Sequence, residues 1–176
     1  MQATNCFVDQ TITNFYQGTT DANTTVIPDG DGSVSLKPWL NEEFSGITVP
    51  TGWTDAIWDN QQGAQTTYSG QQVTVNGTHL SYNTSVGPGT SLEFYATFTT
   101  GNFQNVGFTG DAAFNAPWVV IGRGSEGDNS VYARNSNNQS FSLGSSLLNT
   151  LHKYRIHWVA STNNFQFYVD DVLLST

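Results

Sequence analysis

The chain reads as all-β, an antiparallel two-sheet sandwich or a barrel. Three observations carry this: apolar residues alternate with period two, strand-length segments are punctuated by Gly, Asn and Pro, and helical periodicity is almost absent. Its 176 residues fit one domain, expected over 1–176. Hydrophobic residues make up 37% and aromatics 13%, enough for a packed core, while charged residues are only 11%. The surface must therefore be wetted by Asn, Thr, Ser, Gln and Gly.

Residues 1–40 read as an N-terminal arm. They are polar up to Ile27, turn at Asp29-Gly30-Asp31-Gly32, and end in a short strand at 34–36, expected to join the sandwich. Residues 41–176 form the core. Short strands are expected at 73–75, 79–82, 106–108, 118–121, 131–134 and 172–174, and a long one at 91–99, where Leu92, Phe94, Ala96 and Phe98 share a face. Residues 145–151 allow one helical turn, too short to stand as a helix. Tyr154, Ile156 and Trp158 alternate with Arg155, His157 and Val159, and Phe165, Phe167 and Val169 alternate with Gln166, Tyr168 and Asp170. The cluster Ser161-Thr162-Asn163-Asn164 joins these two runs into a hairpin.

The net charge is −9 with pI near 4.3, and Lys37, Arg123, Arg134, Lys153 and Arg155 form no run. Nucleic acid and anionic membrane are therefore not expected as partners. No segment approaches the roughly 18 apolar residues of a spanning helix, so membrane insertion is not expected. Cys6 is the only cysteine, so no intrachain disulfide forms. The triplets beginning at Asn23, Asn76, Asn83 and Asn138 match the glycosylation pattern, as chance supplies in so polar a chain.

Glu43-Phe44-Ser45-Gly46, the strand around 92–98, Tyr154-Arg155-Ile156-His157-Trp158 and Phe167-Tyr168-Val169-Asp170 follow one another in an order that resembles the concanavalin A-like lectin/glucanase superfamily. The nearest likeness is to laminarinase-like, family 16 glycoside hydrolases, over roughly residues 42–174. The resemblance implies a jelly-roll sandwich, an extracellular or cell-surface location, a polysaccharide or glycan partner and a structural calcium. It also implies a catalytic E-x-D-x-x-E strand, and that motif is absent. A retaining glycosidase needs two carboxylates about 5 to 5.5 Å apart. Glu126 and Asp128 sit instead in the glycine-rich run Gly122–Asp128, which reads as a solvated turn. The family also continues past the position of Asp170 to a further strand, so the arm is expected to supply that strand or the chain to be part of a larger multidomain protein.

No catalytic residue is therefore assigned, and the expected function is non-catalytic carbohydrate binding. Sugar rings stack on aromatic faces while amides, carboxylates, Arg and His hold the hydroxyls. Trp118, Arg123, Glu126, Tyr132, Arg134 and His157 are the candidate ligand-binding residues, provided they share one face. Trp158 is assigned to the core, while Trp53 and Trp58, in loop-like sequence, either cap the core or line a groove. Asp29 and Asp31 are the candidate calcium ligands, because a hard cation prefers carboxylate and carbonyl oxygens. Two other readings stay open: a diverged hydrolase or polysaccharide lyase using Glu126 with Asp128 or His157 with Tyr132, and a structural or adhesion module without a glycan site.

Overall fold

The structure, a computed structural model, describes residues 11–27, 32–58, 63–124 and 129–176. The chain clusters into two compact units, residues 1–47 with 68–72 and residues 48–67 with 73–176.

In the first unit, helix α1 (Ile12–Gln17) starts at Thr11, whose side chain accepts the Asn14 N–H at 3.2 Å. Such a cap satisfies one of the orphan N–H groups of the first turn. Strands β1 (Thr24–Ile27) and β2 (Ser33–Leu36) pair antiparallel in a two-stranded sheet of their own. The strand expected at 34–36 thus exists, but its partner is β1 and not a sandwich strand. The physical reason is proximity in sequence: a short loop closes at little entropic cost. Asp29 and Asp31 lie outside the described residues, as do Cys6, Glu126 and Asp128.

In the second unit, β3 (Trp53–Ile57) pairs with β6 (Thr78–Tyr82). Between them in sequence, β4 (Gln65–Ser69) and β5 (Gln72–Asn76) form a hairpin whose end, residues 68–72, clusters with the first unit. Its two turn residues, Gly70 and Gln71, both have φ of 61°, as a tight primed turn demands.

Two four-stranded antiparallel sheets follow. One has the order β14 (Val172–Ser175), β13 (Phe165–Val169), β12 (His152–Trp158), β7 (Ser91–Ala96); the other has β11 (Ser140–Gly144), β10 (Val131–Asn135), β9 (Trp118–Arg123), β8 (Gln104–Thr109). The chain leaves the first sheet after β7, runs the whole second sheet as a meander, and returns to lay β12 beside β7. Tyr154, Ile156, Phe167 and Val169 from the first sheet pack with Val119, Ile121, Val131 and Ala133 from the second in one buried cluster. This is a sandwich-like all-β architecture, as expected.

The hairpin expected around 161–164 forms in register, with Ile156 opposite Phe167 and Trp158 opposite Phe165. Trp158 is half-buried, stacks on Phe165 at 5.1 Å and donates Nε1–H to Asn163 Oδ1 at 2.8 Å. Residues 145–151 make a turn: the Leu148 N–H reaches Ser145 O, Leu148 bridges to Phe98, and Leu147 joins the core.

Candidate functional site

Alternation in β9 and β10 decides which side chains meet. Val119, Ile121, Val131 and Ala133 face the core, so Trp118, Val120, Tyr132 and Arg134 lie on the opposite face of that sheet. Arg134 stands opposite Val120, and Asn105 of β8 stands opposite Gly122. The Arg134 Nη2–H donates to Asn105 Oδ1 at 2.6 Å, so the guanidinium spans β9 and holds three strands together. Gly122 lets β8 approach β9 closely, since a Cβ there would lie 1.9 Å from the Gln104 carbonyl oxygen.

Trp118 is fixed from both ends of its peptide unit: its N–H donates to Ser136 Oγ at 3.3 Å, and its carbonyl accepts the Ser136 N–H at 3.0 Å. Ser136 belongs to the β10–β11 turn. Asn135 organises that turn by accepting the Asn137 and Gln139 N–H groups on Oδ1 and donating Nδ2–H to Gln139 Oε1 at 2.5 Å. Trp118, Arg134, Asn135, Asn138, Gln139 and Ser140 together line a shallow cavity of about 230 Å³.

A second organised loop, between β8 and β9, lies beside Trp118. Asp111 Oδ1 accepts N–H groups from Ala113 and Asn115, both at 3.0 Å, and Oδ2 accepts Asn115 Nδ2–H at 2.9 Å. These bonds, the Asn115 side chain first, hold the Asp111 carboxyl below its ordinary value. The loop presents Phe114 with φ of 60°, stacked on Trp118 with centroids 5.2 Å apart and planes at 20°. Phe114 meets Trp58 edge-on at 6.1 Å, and Trp58 meets His79 edge-on at 5.5 Å. Ile57, Trp58, His79, Ala112 and Ala113 line a second cavity of about 450 Å³.

The sequence-derived candidates thus part company. Trp118 and Arg134 share a cavity, with Tyr132 on the same face. Arg123 is buried, 3% exposed, at the end of β9 with Nη1 donating to the Thr99 carbonyl at 3.4 Å, away from the cavity lining. His157 lies on the outer face of β12, across the core from Trp118, its Nδ1 bonded to Ser91 Oγ at 2.7 Å. One groove does not hold both. Glu126 is outside the described residues. Among the described residues, no group of three His, Cys, Asp or Glu side chains is placed to hold a metal ion.

Phe114, Asp111, Asn135 and Gln139 also belong to the site and carry no strand alternation in the sequence. Their signals were local: Asp111 four residues before Asn115, a phenylalanine four residues before Trp118, and the amide-rich run 135–140. Trp58 lines a cavity, one of the two roles expected of it, and Trp53 packs against Tyr82 at 5.6 Å.

No family model, curated protein or solved structure matches the chain.

Proposed function

We propose that the chain is a non-catalytic carbohydrate-binding module with a concanavalin A-like jelly-roll sandwich, working outside the cell as part of a secreted or surface protein. One observation carries the reading: an indole and a guanidinium line a cavity whose remaining lining is Asn135, Asn138, Gln139 and Ser140. That is the donor and acceptor set a sugar needs, an aromatic face for the C–H face of the ring and amides, hydroxyl and cation for its hydroxyls. The net charge of −9 favours a neutral glycan over an acidic one. The missing E-x-D-x-x-E strand argues for binding without hydrolysis.

Because the turn and loop around Trp118 are held by their own hydrogen bonds, the site is pre-organised, which lowers the entropy cost of binding. Calcium at Asp29 and Asp31 belongs to the same proposal. Its test is a melting temperature that falls on chelation and returns with calcium.

The test of binding is affinity electrophoresis through gels containing β-glucan, galactan or mannan, with calcium present. Retardation of the wild type by one of them, lost in Trp118→Ala, is the expected result. A folded protein retarded by none overturns the proposal.

A further inference from the structure

We infer that the glycan site runs past Trp118 to a second subsite at Trp58 and His79, so that the ligand is a chain of more than one sugar unit and not a free monosaccharide. This rests on the reading of the Trp118 cavity as a sugar site. Its own basis is separate: a continuous row of rings joins two cavities of different chemistry.

Trp118, Phe114 and Trp58 follow one another at 5.2 and 6.1 Å, and His79 ends the row at 5.5 Å. Each is a direct ring contact, the first stacked and the others edge-on, which are the two favoured aromatic geometries. Contacts of this kind fix the plane of Trp58, yet the side chain stays 39% exposed. An indole that only sealed the core would lose most of that exposure. The space beside it is kept open by Ala112 and Ala113, which belong to the same Asp111-held loop that presents Phe114. That loop lines the second cavity directly and buttresses the Trp118 of the first through Phe114.

The two cavities divide the work. The first, with its amides and guanidinium, reads hydroxyls. The second, with Ile57, Trp58 and two alanines, offers an apolar floor for the C–H face of a neighbouring sugar, and the His79 imidazole is its polar group. A monosaccharide fills one of them; a linear chain fills both.

The experiment is calorimetric titration with neutral oligosaccharides, disaccharide to hexasaccharide, of the β-glucan, galactan and mannan series. Affinity is expected to rise by about tenfold along the recognised series, the scale of one aromatic stacking contact. Ala113→Leu, which fills the second cavity and leaves the ring row intact, should flatten that rise while leaving the shortest ligand's affinity within about twofold, and Trp58→Ala should flatten it as well. Near-UV circular dichroism confirms the fold of each variant, and Ala113→Leu decides if Trp58→Ala fails to fold. A length-independent affinity, or folded variants that keep the full rise, overturns the second subsite while the Trp118 site stands. Binding at no length overturns both.

Discussion

The two outer faces of the sandwich-like unit carry the same kinds of residue and put them to opposite use. On the sheet of β7, β12, β13 and β14, Lys153 lies between Glu93 at 3.4 Å and Asp171 at 3.2 Å, the Arg155 guanidinium sits 3.9 Å over the Tyr168 ring, and His157 bonds Ser91. Each of these side chains meets a neighbour on an adjacent strand or turn. On the sheet of β8 to β11, Arg134 also bonds Asn105 two strands away, but together with Trp118 it borders a cavity whose other groups come from the β10–β11 connection and its flanking strand ends. A strand alone gives a flat, self-paired surface, whereas a strand beside an ordered loop gives a concave one. Binding sites sit on loops held by a rigid scaffold for this reason.

The largest effect tests whether the two faces share one foundation. Ile121 and Ile156 are both fully buried, one from each sheet. Ile121→Ala and Ile156→Ala should each cost roughly 2 to 5 kcal/mol, measured by urea unfolding. If only one is costly, the sheets do not share a core.

Next comes Trp118→Ala, which should weaken glycan binding by about tenfold or more with little change in melting temperature. A smaller effect of opposite sign is expected at Tyr154. Its hydroxyl is buried with no hydrogen-bond partner among the described residues, and burial, with Asp170 nearby, pushes its pKa up to about 12. Tyr154→Phe removes that unsatisfied group and should raise stability by about 1 kcal/mol. A lower melting temperature would mean that the hydroxyl is satisfied after all.

The pH dependence separates the faces less sharply. His152 above all, then the Lys153 N–H, hold the Asp170 carboxyl below its ordinary value, and Asn115 does the same for Asp111. A carboxyl whose folded pKa is depressed contributes stability above its unfolded pKa, about 3.9, and loses it as pH falls through the lower folded value. Stability and binding should therefore hold from neutrality to about pH 4 and decline below it. Asp170→Asn, which keeps an acceptor for the Lys153 N–H and tolerates the φ of 47°, should cost less than Asp170→Ala, both within about 1 kcal/mol at this exposed pair.

What was legible in the sequence follows the same divide. The β12–β13 hairpin was readable residue by residue because Tyr154, Ile156, Phe167 and Val169 alternate cleanly and pack on one side only. Strands β1, β3, β4 and β11 were not, because segments such as Gln65–Ser69 and Ser140–Gly144 are mostly polar and owe their conformation to a paired neighbour. Helix α1 was missed because six residues carry too little periodicity to register. In the candidate site, the strand residues Trp118 and Arg134, with Tyr132 on the same face, carry a strand signal in the sequence, whereas the loop residues Phe114 and Gln139 and the strand-end Asn135 carry none. Alternation says which face a strand residue takes; it is silent on which loop will fold beside it. Grouping His157 with Trp118 shows the same limit, since both point away from the core but from opposite sheets.

The division of labour between the faces is tested most directly by measuring glycan affinity for Trp118→Ala and His157→Ala side by side, on the polysaccharide that retards the wild type. The account predicts a loss of about tenfold or more at Trp118 and none at His157. Loss at His157 with Trp118 unaffected would place the glycan on the other face and contradict it.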